Sequence, residues 1–410
     1  MAATKVIIAG CGIAGPVLAM FLKLKGYEPV IYERLAEPTT LGLSLSLQPN
    51  GLRVLSLIPG LLEKVAGQDL DAFALYSILP EDETLIAWSD QPTTYRELYG
   101  HPMKGVRRPA FHHTLVEHAQ SQGVKIVWNH QIISLEQRDD QVVVGFADGA
   151  TDVASFAVGC DGLHGNTRIC LFGEENADYT GLTQTGGISP KPDFLTSKGR
   201  HPMTDLFGDG AHMIYYEVND SQVSWALTRR EPEAKETWRH IDEHMQEEFK
   251  EHGPCASWPF AGKEVAKSAE RIVKYGLYDR PELKVWHKGR VALLGDAAHP
   301  TSPHLGQGAN QAFEDIYHFV RLLVKHNPSA ADPSTAILHA AFSEYETIRI
   351  PRASALVTGA RKRGDNRVVH GVEERKKRNE KIREHWSNEA AVAEEYKQLY
   401  TQPFFGQSEI

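Results

Sequence analysis

The feature that most constrains this chain is its first thirty-odd residues. Residues 5–9, Lys-Val-Ile-Ile-Ala, form a β-branched apolar run, and Gly10-Cys11-Gly12-Ile13-Ala14-Gly15 follows at once. Residues 16–25 place Val17, Leu18, Phe21, Leu22 and Leu24 at helical spacing, and Pro16 suits a helix start because its missing N–H would be unpaired there anyway. Residues 28–32 read as a second strand ending in Glu33. A lone GxGxxG is weak evidence. Here it stands between a strand and a helix, with an acid about 20 residues on, which is the full dinucleotide-binding context. Gly10 permits the tight turn, Gly12 lets a pyrophosphate approach the backbone, and Gly15 lets helix and sheet pack closely. Glu33 can accept both hydroxyls of an adenosine ribose, which favours a ribose without a 2′-phosphate.

A second constraint lies near the other end. The run Arg290-Val291-Ala292-Leu293-Leu294 reads as a buried strand, and residues 295–312, GDAAHPTSPHLGQGANQA, break it with prolines and glycines before a helix begins near Ala309. A strand, a polar loop and a helix N-terminus present unpaired N–H groups and a dipole that favour an anion. The same pattern serves as a plain turn between a strand and a helix. Between these two units, residues 156–159 form another buried strand that runs into Cys160-Asp161-Gly162, with Arg168 just beyond. An acid at the carboxyl end of a parallel strand is where α/β folds place ligand contacts.

The rest is filled in around these units. Residues 41–47 alternate loosely, 48–51 (Gln-Pro-Asn-Gly) read as a turn, and 52–65 as a helix interrupted at Pro59-Gly60. Residues 72–79 and 84–88 read as strands of a second, mostly antiparallel layer, and Arg107-Arg108-Pro109 leads into a helix over 110–122. Those two arginines reach a phosphate or flavin edge, or only salt-bridge a solvated face. Residues 124–128 are a strand, and 132–137 with 142–147 a hairpin. From 179 to about 285 short strands dominate, at 183–188, 204–207, 212–218 and 223–228. His212 and Tyr216, four apart, share a strand face. There they bind or deprotonate a phenolic substrate, or simply pack. Residues 231–250 read as an acidic, solvated helix, 311–325 as a long helix with Glu314 and Asp315 near its start, and 337–349 as another that Pro351 breaks before a helix over 353–362. The charged segment 372–400 docks as a terminal helix or aids a dimer.

At 410 residues the chain is long enough for two or three domains. Its formal charge of −9 argues against nucleic acid and anionic membranes as partners. The four cysteines lack metal-like spacing, and His299 and His304 find no convincing third ligand, so no metal is expected. No signal peptide or membrane span is apparent, and a cytoplasmic protein is expected.

Taken together, the three units resemble the group A, single-component FAD-dependent aromatic hydroxylases and monooxygenases with the para-hydroxybenzoate hydroxylase fold. They stand in the family's order, and the resemblance covers residues 4 to about 360. It implies an α/β fold: a Rossmann-like FAD-binding domain (1–70, 101–178 and 286–365), an interleaved antiparallel-sheet substrate domain (71–100 and 179–285) and a C-terminal helical tail (366–410). Carried over residue by residue, Glu33 with Arg34 would hold the FAD ribose, and Gly12, Ile13 and Ala14 would lie by the pyrophosphate. Arg108, Ile132, Asp161 and Asp296 would be further cofactor contacts, Asp161 belonging to a motif tied to both FAD and NAD(P)H. Pro303, Gly306, Gln307, Gly308, Ala309 and Asn310 would line the isoalloxazine, with Leu43-Ser44 where the family has a small pair. Pro303-His304-Leu305-Gly306 and the His212–Tyr216 spacing look most like the salicylate and 6-hydroxynicotinate hydroxylase branch, which makes His212, Tyr216 and His304 the expected catalytic residues. Glu217 stands where that branch has proline.

The implied reaction is hydroxylation of a phenol, hydroxybenzoate or hydroxypyridine carboxylate with NADH or NADPH and O2, through a flavin C4a-hydroperoxide, by a monomer or homodimer. An FAD-dependent epoxidase or tailoring enzyme for an apolar secondary metabolite is the nearest alternative, and a non-enzymatic flavoprotein scaffold a distant one.

Overall fold

In the computed structural model, which describes residues 3–175, 177–197, 199–232, 239–280 and 282–410, the chain is an α/β protein built on two large sheets. The first has six strands in the order His287–Lys288, Val291–Leu293, Phe156–Gly159, Lys5–Ala9, Glu28–Tyr32, Lys125–Val127, all parallel except the first. Its strands are apolar on both faces because both are covered, by helices and by a three-stranded antiparallel sheet, Ile132–Gln137, Val142–Phe146 and Thr151–Ala154, whose Val142, Val144 and Phe146 join the same core. Helix Ala14–Leu24 buries Val17, Leu18, Phe21 and Leu22 against it, and helix Gly308–His326 buries Phe313, Ile316, Phe319 and Leu323. The three distant units of the sequence thus meet at one place: strands Lys5–Ala9, Phe156–Gly159 and Val291–Leu293 are neighbours, and their carboxyl ends share one edge.

The second large sheet has eight strands in the order Arg239–His240, Arg271–Asp279, Asp178–Pro190, Gln222–Arg230, Ala211–Glu217, Pro202–Phe207, Ala72–Leu79, Asp82–Ser89. The early excursion at 72–89 joins it through a parallel pairing of Ala72–Leu79 with Pro202–Phe207. One face packs on Leu206, Met213, Tyr215 and Trp225, while the other carries His212 and Tyr216. A three-stranded sheet, Ser44–Leu47, Met103–Arg107 and Gln68–Leu70, packs against the strand Ala211–Glu217 and the helix Gly308–His326.

Several local expectations are corrected. Residues 48–51 are not a free turn: Pro49 opens a helix, Pro49–Leu55, where its fixed φ is already suitable. That helix is held by a side chain from afar, since Gln48 N–H donates to Asn310 Oδ1 at 3.0 Å. Pro351 does not break the chain, because helix Thr335–Arg367 runs straight through it. A mid-helix proline costs about 3 kcal/mol, and burial of Phe342, Tyr345, Arg349 and Ala353 on either side offsets that cost. The acidic helix of the 231–250 region spans only Glu243–His252, capped by Asp242, while Arg239–His240 is a strand; residues 233–238 of that expectation lie outside the described residues.

The charged tail forms two helices, Val372–Ser387 and Glu389–Tyr400, and both dock on the body. Trp386, Tyr396 and Tyr400 pack with Phe73, Tyr95 and Tyr99. The Arg53 guanidinium ties the end of the tail by donating to the carbonyls of Tyr99, Tyr400 and Gln402. Among the described residues no helix is long and apolar enough to cross a membrane.

Candidate active site

The glycine turn is shaped by contacts that leave no room for side chains at two of its three glycines. A Cβ on Gly10 would lie 2.7 Å from the Asp161 Cα, and one on Gly15 would lie 2.1 Å from the Gly10 carbonyl oxygen. Gly12 is different: a Cβ there meets nothing within 4 Å, so the protein itself does not require glycine. Open space at that position is where a pyrophosphate would pass, and the residues present therefore fit FAD. The Gly12→Ala chain is accordingly expected to keep the stability of the FAD-free protein within about 0.5 kcal/mol and to bind FAD about tenfold more weakly or worse, a loss of about 1.4 kcal/mol. Thermal melting and flavin fluorescence titration measure the two effects separately. Lower apo stability with unchanged FAD affinity would contradict the assignment.

A cleft lined by Gly10, Glu33, Arg34, Ile132 and Asp161 opens beside this turn, so the structure brings these five expected residues together. Glu33 is anchored across it: one carboxylate oxygen accepts from the Cys11 N–H at 2.7 Å and the other from the Leu35 N–H at 2.9 Å. Asp161 Oδ2 accepts from the Thr167 N–H and hydroxyl, while its Oδ1 is buried without a partner. Burial raises the Asp161 pKa, with the Thr167 bonds opposing. Tyr32, His130 and His164 also line the cleft and were not singled out from the sequence. Their aromatic rings at strand and loop ends were the available signal.

Arg108 and Asp296 face one another electrostatically from opposite ends of the chain. The protein around each pushes it towards neutrality, lowering Arg108 and raising Asp296, and their mutual attraction opposes both shifts. Asp296 is exposed, and the protein packed around it accounts for the direction of its shift. Ile13 and Ala14, at the start of the first helix, and Gly308 and Ala309, at the start of Gly308–His326, are partly exposed beside the same strand ends.

Gln307 and Asn310 are placed differently from the residues around them. Both are buried, and their side chains hold the loop from beneath. Asn310 Nδ2 donates to the carbonyls of Ser46 and Gly306, and Gln307 Oε1 accepts from Asn50 and Gln311. Below them Arg349 is fully buried and donates to Glu314, Asp315 and Gln311, each at 2.7 Å. Asp315 in turn accepts from the Gly295 N–H at 2.9 Å and from His299 at 2.6 Å. Glu314 and Asp315 therefore lie inside the protein as the scaffold of the 295–310 loop.

The expected catalytic residues lie on and above the eight-stranded sheet. The Tyr216 hydroxyl is 2.8 Å from Ser44 Oγ, which donates to Ser224 Oγ at 2.7 Å. Burial lifts the Tyr216 pKa to about 12, with the Ser44 bond opposing. Leu43 reaches the same sheet at Gly186. His212 is fully buried, with Nε2 bonded to Asp205 Oδ1 at 2.7 Å and Nδ1 unpartnered. His304, beside Pro303, packs its ring on Gly364 of the long helix, and Arg367 donates to its carbonyl at 3.2 Å. Arg367 also donates to Asp205 at 2.8 Å, so one guanidinium joins the loop to the sheet. Burial and then Arg367 depress both histidines, His212 to about 4. Asp205 and Arg367 were missed from the sequence. Nothing in their neighbourhoods marks them.

The geometry matches what comparison with known proteins finds. The sequence model of the FAD binding domain family matches residues 3–360. The 3-amino-4-hydroxybenzoate 2-monooxygenase of Streptomyces cremeus is 30% identical over 359 residues, covering 87% of this chain and 86% of that one. The 6-hydroxynicotinate 3-monooxygenase of Pseudomonas fluorescens is 28% identical over 365 residues, covering 85% and 88%. Among solved structures, Klebsiella pneumoniae HpxO complexed with FAD and uric acid superposes with a TM-score of 0.81 at 22% identity over 97% of both chains, a likeness of fold. The chain belongs to the FAD binding domain family, that of the group A FAD-dependent aromatic hydroxylases and monooxygenases.

Proposed function

We propose that this protein hydroxylates a small aromatic substrate, a phenol, hydroxybenzoate or hydroxypyridine carboxylate, with NADH or NADPH as electron donor and O2 as oxidant. The observation that carries the reading is the pairing of His212 and Tyr216 on one sheet face, with Tyr216 tied to Ser44 and His212 linked through Asp205 and Arg367 to the loop at His304. The names of the Streptomyces and Pseudomonas relatives, monooxygenases of hydroxylated ring acids, support the substrate class and the hydroxynicotinate branch.

FAD, when bound, supplies the electron transfer and oxygen activation. Glu33, Asp161, Arg108 and Asp296, with Gly12 to Ala14, would hold it. The side chains of the sheet handle the substrate. A phenol reacts faster with an electrophile as its phenolate, so a neutral histidine able to accept the ring hydroxyl's proton assists the reaction. His212 is neutral near pH 7 because burial and Arg367 keep its pKa low. Tyr216, whose pKa is raised, keeps its proton and orients the ring hydroxyl as donor or acceptor. Leu43 and the buried sheet face keep water away from the reacting atoms.

The purified protein is expected to be yellow or to reconstitute with FAD. A panel of hydroxybenzoates and hydroxypyridine carboxylates should contain at least one that accelerates NAD(P)H oxidation and gains one oxygen atom by mass. Flavin binding without any such stimulation would remove the aromatic substrate class.

A further inference from the structure

We infer that Asp205 and Arg367 are positioning residues that lock His212 as its Nε2–H tautomer and so reserve Nδ1 as the acceptor for the substrate's proton. The role in turnover rests on the function proposed above; the tautomer does not.

The argument begins with register. Asp205 lies opposite Ile214, and Phe207 opposite His212, so Asp205 shares the sheet face of His212 and Tyr216. Its Oδ1 takes two bonds, from His212 Nε2 at 2.7 Å and from Arg367 Nη2 at 2.8 Å. An ionised carboxylate can only accept, and a guanidinium can only donate. Arg367 beside Asp205 keeps the carboxyl ionised, at about 2 despite the upward push of burial. The proton in the 2.7 Å contact must therefore sit on His212 Nε2. A neutral ring with its proton on Nε2 has its lone pair on Nδ1, and that atom is buried without a partner. Leaving a buried acceptor unpaired is unfavourable, and a substrate hydroxyl donating to it would satisfy it.

The groups facing this ring are known. Asp205 comes from the sheet, Arg367 from the end of the long helix, Arg378 from the first tail helix and His304 from the loop, while Arg363 of the long helix acts on Asp205 and His304. Arg367 lies beyond residue 360, where the family match ends, so the C-terminal region reaches into the site. In the transfer, the O–H bond of the ring hydroxyl breaks and an N–H bond forms at Nδ1. No electrons are exchanged, and Asp205 offsets the imidazolium charge.

The test has two arms. In the first, FAD-loaded protein with 15N-labelled histidines is examined by NMR, and the His212 signals are identified by their loss in His212→Gln. The Nε2–H form is expected from pH 6 to 9, with a shift towards Nδ1–H in Asp205→Asn, whose amide can donate. An Nδ1–H or doubly protonated ring in the native chain would overturn the inference, whether or not a substrate is known.

In the second arm, the substrate is whichever hydroxybenzoate the native enzyme turns over best. Asp205→Asn is expected to lower kcat about 10²–10⁴-fold at pH 7. The deficit should shrink near the pKa of the substrate's hydroxyl, and with a ring-fluorinated analogue whose hydroxyl is more acidic. Arg367→Lys should retain more activity than Arg367→Gln. A deficit that neither pH nor substrate acidity alters would reduce Asp205 to a structural role and sink the proposal. If the native enzyme turns over no aromatic compound, the functional reading fails, and the tautomer measurement still decides the first point.

Discussion

Arg349→Met is expected to destabilise the FAD-free protein by about 3–5 kcal/mol, the largest stability effect of any single substitution considered. Methionine fills much of the volume, so the loss is electrostatic rather than a cavity. Arg349 is fully buried and serves Glu314, Asp315 and Gln311 at once. Its removal leaves Asp315 with His299 and the Gly295 N–H alone, and Glu314 with Arg352, Asn50 and Gln311. Because Asp315 holds Gly295 and Glu314 holds Asn50, the 295–310 loop should loosen with the network. Denaturant melts should therefore show a lower midpoint, and the melted fraction at moderate denaturant should be rescued only partly by excess FAD. A midpoint within about 0.5 kcal/mol of the native value would mean the network is decorative.

The same network sets an acid limit. Burial pushes the Glu314 and Asp315 carboxyls upward. Arg352 and Arg349 on the first, and His299 and Arg349 on the second, outweigh it and hold both at about 2. Their folded pKa values lie below the ordinary carboxylate range, so the unfolded chain binds protons first as pH falls. The stabilisation is complete above about pH 4.5 and is lost progressively towards pH 2. Midpoints measured from pH 7 to pH 3 should fall steeply below pH 4.5 in the native chain and less steeply in Arg349→Met.

His212→Ala is expected to retain FAD and to lower the rate of product formation about 10²–10⁴-fold, the range typical of removing a positioned acid–base group. The fold should survive, because Asp205 keeps its 2.8 Å bond to Arg367 and no buried charge is left unpaired. Flavin retention follows from position: the ring lies on the eight-stranded sheet, whereas Gly10, Glu33 and Asp161 line a cleft at the parallel sheet. NAD(P)H oxidation should continue and increasingly yield hydrogen peroxide instead of hydroxylated product. Product formation unchanged across pH would remove His212 as the proton acceptor.

What was legible in the sequence was what local chemistry encodes. The βαβ unit at 5–33, the Asp161 strand end and the 295–310 loop could be read because apolar runs, turn glycines and helix starts are short-range signals. These determined the fold class and a dinucleotide site, and the resemblance of the three units to a known family pointed to FAD as the dinucleotide. Pro351 and the turn at 48–51 misled because tertiary contacts overrode the local preference: burial along the long helix in one case, the Asn310 side chain in the other. Only the tertiary structure decided which buried charges meet. Asp205 and Arg367 are 162 positions apart, Arg349 and Asp315 34 apart, and the tail could be placed only by seeing Tyr396 and Tyr400 against Phe73 and Tyr95. An isolated arginine or aspartate in a sequence looks the same whether water or another charge is its partner. The difference lies in the packing of elements distant along the chain, and no local pattern carries it.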